Sequence, residues 1–167
     1  MGIIGKAVHA ILLLAFFFIV AIAPLDVQIF LPDSIVPDLV KPLYRWYTTT
    51  TGDYLMLEKP HFFRALMMVE LFLLFPLALL NTYGLLTSKP WFNSTCLIFG
   101  ASLLTATAAM LGDILGSDKP SADLMVKLYS PLLALGSLAI LRGLVPQSST
   151  TAPNVVNGPT STLKKRT

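Results

Sequence analysis

Residues Phe62–Tyr83 read FFRALMMVELFLLFPLALLNTY. Arg64 near its start and Glu70 within it are the charged residues of the stretch. Bilayer hydrocarbon is about 30 Å thick, and about 20 helical residues cross it. This stretch is long enough, and three others match it. They are Ala7–Ala23 (AVHAILLLAFFFIVAIA), ended by Pro24, about Phe92 to Leu115, and about Leu124 to Leu144. Composition agrees: 54% of the 167 residues are hydrophobic, 13% are charged, and mean hydropathy is +0.71. A soluble domain carries about 25% charged residues. The expected fold class is therefore an all-α membrane protein, a four-transmembrane-helix bundle.

The first stretch also has the outline of a signal peptide, with Lys6 before it and Ala21-Ile22-Ala23 at its end. Pro24 would follow the cut, and the apolar core is long for a signal, so it is read as a retained helix. About 38 residues rich in Pro, Asp, Tyr, Trp and Thr join spans one and two. Within them Asp38–Tyr47 (DLVKPLYRWY) predicts a short interfacial helix, with Tyr44, Trp46 and Tyr47 at the headgroup level. The later connections are short, so neighbouring helices run antiparallel. Residues 146–167 are polar and read as a disordered tail.

Several function classes are excluded. No basic stripe alternates with aromatics, so nucleic acid is not an expected partner. The single cysteine, Cys96, cannot form an intramolecular disulfide and is expected to be a small buried hydrophobe. His9 and His61 have no ligand spacing around them. With no Gly-rich phosphate loop or Ser/His pair either, neither a metal nor a cofactor is expected.

Four spans put both termini on one side. Lys6, Lys89, Arg142, Lys164, Lys165 and Arg166 share that side; Lys41, Arg45, Lys59, Arg64, Lys119 and Lys127 share the other. The Lys/Arg count is thus a tie and does not set orientation. The ending Lys164-Lys165-Arg166-Thr167 fits a Lys-Lys-x-x retrieval signal read by cytosolic coat proteins. It predicts a multi-pass protein of the endoplasmic reticulum membrane with both termini cytosolic, and a lumenal interfacial helix. Asn93-Ser94-Thr95 is a glycosylation sequon that would then face the cytosol and stay unmodified.

The nine acids all fall on or near the other side. Asp26 follows span one, Asp53 precedes span two, Glu70 lies about two turns inside it, and Asp113 is near the exit of span three. A charge in hydrocarbon costs several kcal/mol unless it is paired, neutralised or lines a cavity. Two carboxyls close together in a low dielectric titrate as a unit. Such a pair can hold a cationic amine, or donate and accept a proton. Asp26 can alternatively be an interfacial cap, Asp53 a solvated loop acid, Glu70 an interhelical hydrogen-bonding group and Asp113 an end-of-helix charge.

Pro24-Leu25-Asp26, Gln28, Leu31-Pro32, Arg45-Trp46-Tyr47, Gly52-Asp53-Tyr54, Glu58-Lys59-Pro60-His61-Phe62-Phe63 and Val69-Glu70-Leu71 stand in an order and spacing that resemble the sigma-2 receptor (transmembrane protein 97) family of the EXPERA superfamily. Lys89-Pro90-Trp91-Phe92-Asn93 and Leu128-Tyr129-Ser130-Pro131 resemble its plant-type members. The resemblance implies an EXPERA-like four-helix transmembrane domain over residues 1–145, followed by the tail. It implies a homodimer whose pocket opens to membrane lipid and takes sterols or hydrophobic amines, serving intracellular sterol homeostasis or trafficking. The implied ligand-binding residues are Asp26 for the amine, Asp53 as its hydrogen-bonded partner, Glu70, Tyr129 and Thr107. A second family tyrosine is replaced by Leu132 and a glutamine by Leu74.

The alternative is a sterol double-bond isomerase, with Glu70, Asp26 and Asp113 moving protons. Such a reaction needs one group to protonate a carbon and another to deprotonate a second carbon. The isomerase relatives carry a histidine one turn before the helix-two glutamate, where this chain has Leu66, and a glutamate on helix three. Binding without turnover is therefore the first expectation.

Overall fold

The computed structural model describes residues 3–32 and 34–145. The tail, with Lys164 and Lys165, lies outside the described residues. The described residues form seven α-helices and one π-helical segment: α1 (Ile3–Val27), α2 (Lys41–Thr51), α3 (Tyr54–Glu58), α4 (His61–Val69), the π segment (Glu70–Leu74), α5 (Phe75–Leu86), α6 (Phe92–Leu115) and α7 (Ala122–Leu144). Helix α4, the π segment and α5 run on as one span, so four helices are long and apolar enough to cross a membrane.

Two span boundaries differ from the sequence reading. Helix α1 does not end at Pro24 but continues to Val27 with Pro24 inside it. Proline removes one backbone N–H and crowds the preceding turn; here the chain keeps its helical course for one more turn and carries Asp26 inside the helix. The interfacial helix runs over Lys41–Thr51 rather than Asp38–Tyr47. Pro42 suits its first turn, where an N–H has no helical partner. Gly52 ends it in the left-handed conformation, at φ 62°, which glycine adopts without penalty.

Helices α6 and α7 form the most extensive helix pair. Small residues let their backbones approach closely, as is common in membranes. A Cβ on Gly100 would lie 2.7 Å from the Ile140 nitrogen and 2.8 Å from the Gly136 carbonyl oxygen. Thr95 of α6 donates to Asn81 of α5 at 2.6 Å, a polar clamp between spans.

The core has two parts. Toward the termini, Leu12 and Phe16 of α1 pack with Leu77, Phe92, Phe99 and Ala139. Phe16 and Phe99 meet edge to face, with ring centroids 5.1 Å apart. Cys96 is fully buried in this part, as expected of a small hydrophobe. Toward the α2–α3 end, Leu55 and Met56 of α3 cap Phe63, Met67, Met110 and Met125. Large apolar side chains such as Phe17, Phe72 and Leu141 point outward, where a bilayer covers them.

Candidate functional site

A cavity of about 260 Å³ lies where the two core parts meet. Ile19, Leu74 and Leu103 come to it from one part, and Met56, Phe63 and Met110 from the other. Its polar lining is Asp26, Glu70, Tyr47 and Tyr129. The other lining side chains are apolar or methionine. Leu74 and Leu132 both line it.

Asp26 reaches the cavity from the last turn of α1 and is 7% exposed. Its Oδ2 is buried with no hydrogen-bond partner among the described residues. An unmet buried acceptor costs about 1–3 kcal/mol, more when charged. Glu70 of the facing span lies within electrostatic reach of it.

The placement of Glu70 depends on the π segment. The Phe75 N–H donates to the Glu70 carbonyl, a five-residue step instead of four. Pro76 follows at once and cannot donate an N–H. A widened turn relieves the crowding of its ring, and π turns are frequent at functional sites.

Asp53 stands one hydrogen bond behind the cavity and is fully buried. Its Oδ1 accepts the backbone N–H groups of Leu55 at 3.0 Å and Met56 at 3.3 Å, capping α3. Its Oδ2 accepts the hydroxyls of Tyr47 and Tyr129, each at 2.8 Å. Both oxygens are thus engaged, and no hydrogen bond joins Asp53 to Asp26 among the described residues. The Asp26–Asp53 hydrogen bond implied by the resemblance is not found among the described residues; Asp53 instead bonds two tyrosines that line the cavity beside Asp26.

Tyr47, expected at the headgroup level, instead turns inward to the cavity wall, because Asp53 offers its hydroxyl a buried acceptor. Burial, and then the Asp53 carboxylate, push its phenol well above the ordinary 10.0. Trp46 does remain outside, at 63% exposure, and the Tyr44 hydroxyl donates to the Met56 carbonyl. Sequence reading misses Tyr47 as a site residue; its one signal is a Tyr six positions before Asp53.

Asp113 is not brought to the cavity lining. It is exposed and accepts the Tyr54 hydroxyl at 2.6 Å. Thr107 is fully buried, its Oγ1 without a partner among the described residues, but does not line the cavity; its neighbour Ala106 does. Among the described residues no cluster of three or more His, Cys, Asp or Glu could hold a metal ion.

Residues 39–143 match the EBP family, described as EXPERA (EXPanded EBP superfamily). This chain belongs to the EXPERA superfamily. The matched region of this EXPERA protein includes Asp53, Glu70, Thr107, Asp113 and Tyr129, and begins after Asp26. The chain is 27% identical over 128 residues to Sigma intracellular receptor 2 of Xenopus tropicalis, covering 70% of this chain and 75% of that receptor. It is also 27% identical over 100 residues to Sigma intracellular receptor 2 of Homo sapiens, covering 59% of this chain and 57% of that receptor.

Proposed function

We propose that this EXPERA protein binds sterols and hydrophobic amines in the Asp26–Glu70 cavity. It would do so in the endoplasmic reticulum membrane, as a homodimer, in intracellular sterol homeostasis or trafficking. One observation carries the reading: a buried carboxylate oxygen on Asp26, without a partner among the described residues, in an otherwise largely apolar cavity. An ammonium or a hydroxyl hydrogen would supply the missing partner, and the apolar wall would receive rings. Small-molecule sites commonly span about 300–1,000 Å³. A cavity near the low end suits the polar end and first rings of a sterol, with the remainder lying among the spans.

The test is Asp26→Asn, assayed with a cationic amphiphile and a neutral sterol. Breaking one side of a buried charge pair costs about 3–5 kcal/mol. The amine is expected to lose more than about 100-fold in affinity, and the sterol much less. Normal binding of both ligands would place the site elsewhere.

The second reading is an isomerase. What favours it is the approach of two carboxyls, Asp26 and Glu70, from facing helices to one cavity. A third proton carrier at Asp113 has no support, since that carboxylate accepts from Tyr54 outside the cavity lining.

A further inference from the structure

We propose that Asp53, acting through Tyr47 and Tyr129, sets the hydrogen-bond polarity of the cavity, so that it prefers a ligand whose polar end is an alcohol over one whose polar end is a ketone. The proposal rests on the sterol-binding reading above and adds a rule about which sterols enter.

A phenol has one hydrogen to donate and lone pairs to accept with. Tyr47 and Tyr129 both spend that hydrogen on Asp53 Oδ2. Turning either hydroxyl toward a ligand would strip a partner from a carboxyl group that is 0% exposed, and a buried acceptor left short is costly. The two hydroxyls also lie within hydrogen-bonding reach of each other, so what the pair has left for the cavity is lone pairs, not hydrogens. The remaining polar lining, Asp26 and Glu70, is also oxygen. The Thr107 hydroxyl, without a partner among the described residues, does not line the cavity. A proton carried by either carboxyl would serve an alcohol oxygen and a ketone oxygen alike, so it does not discriminate. An alcohol can both donate and accept here. A ketone can only accept, and the tyrosine pair gives it no hydrogen.

Asp53→Asn inverts the arrangement. Its amide oxygen can keep the cap on α3, since Asn caps helices as well as Asp. Its NH₂ can donate to both phenol oxygens, which frees their hydrogens for the cavity. The experiment uses the purified full-length chain in detergent, with radiolabelled cholestanol displaced by unlabelled cholestanol or by cholestanone, which differ only at the oxygen-bearing ring carbon. Wild type should prefer the alcohol by about tenfold, the worth of one good hydrogen bond. Asp53→Asn should bring the two sterols level or favour the ketone. Tyr129→Phe, which removes one acceptor, should narrow the preference by about threefold, at the low end of one hydrogen bond's worth. It decides the matter if Asp53→Asn does not fold. A merely structural role for Asp53 would weaken both sterols together and leave their ratio unchanged. Equal affinities in wild type, or a ratio unmoved in the folded variants, would overturn the polarity rule while leaving the pocket in place. Failure of cholestanol to bind wild type would overturn the sterol reading and the rule with it.

Discussion

Tyr54, opening α3, donates its hydroxyl to Asp113 Oδ2, near the end of α6, at 2.6 Å. The same short helix is tied on its other side by the Lys119–Glu58 ion pair, and the Lys119 ammonium lies 5.4 Å from the Tyr54 ring centroid. The cap over the α2–α3 end of the bundle is thereby fastened to α6 and to the turn that follows it. Burial, and then the hydrogen bond to Asp113, hold the Tyr54 phenol up at about 12, against an ordinary 10.0. A raised folded value contributes stability that is fully present below the unfolded value and is lost as pH rises through the folded one.

Thermal stability in detergent should therefore fall as pH rises from 10.0 through about 12. Tyr54→Phe should flatten that fall, and at neutral pH it should cost about 1–2 kcal/mol for the lost hydrogen bond. A variant with the same alkaline slope as wild type would show that Tyr54 does not contribute to it.

Glu70→Gln separates binding from turnover. The amide keeps nearly the shape of a carboxyl and can donate a hydrogen bond, so sterol binding should change by less than about tenfold. An amide cannot shuttle protons, so an isomerase would lose its activity. Profiling products from a Δ8 sterol, with and without the substitution, gives the answer. Product formed by wild type and lost in Glu70→Gln would make the chain an enzyme.

The helix pair α6–α7 should be intolerant of bulk at one glycine and indifferent at another. Gly100→Val would drive side-chain atoms into the α7 backbone, since even a Cβ would lie 2.7 Å from the Ile140 nitrogen. Overpacking of that kind costs about 1–3 kcal/mol or more. A Cβ on Gly112 of the same helix would meet nothing within 4 Å. Gly112→Ala should raise stability by about 0.5–1 kcal/mol through backbone entropy. Melting both variants in detergent checks the contrast, and equal effects would contradict the close approach.

Membrane orientation has a direct test. The proposed orientation, with both termini cytosolic, predicts that protease added to sealed microsomes removes a C-terminal tag. Asn93 should carry no glycan; its Nδ2 donates to the Val145 carbonyl, and its Oδ1 accepts from Arg142. A glycosidase-sensitive mass shift abolished by Asn93→Gln would reverse the topology. Lys164→Ala with Lys165→Ala should move a tagged protein outward along the secretory path, and an unchanged reticular pattern would defeat the retrieval signal.

Hydropathy makes the four spans legible, because lipid demands long apolar runs and little else mimics them. Phe92–Leu115 falls where its apolar run puts it. Boundaries are less legible at proline. A rule from water ends a helix near Pro24, whereas α1 continues to Val27. Among site residues, Asp26 and Glu70 stand out because a carboxyl in an apolar run is costly to keep there without a task. The full set of Asp53 contacts does not, because it depends on a meeting with Tyr129, far away in the chain, and the inward turn of Tyr47 follows from Asp53 being a buried acceptor. An aromatic-rich connection reads as interfacial whether or not one ring turns inward. The π segment leaves only Pro76 as a trace, and a proline in a membrane helix has several outcomes.

The widened turn between Glu70 and Leu74 amounts to one surplus residue in an otherwise regular span. Each helical residue advances the face by about 100°. Winding the same residues uniformly would swing Glu70 by about that angle relative to α5, toward a neighbouring helix or lipid. The wide turn absorbs the surplus residue, so a homologous chain one residue shorter after its glutamate can wind as plain α-helix and keep the carboxyl on the same face. A gapless comparison across this span would pair side chains that lie on different faces, so the residue count from the glutamate to the proline belongs to the motif as much as its letters do.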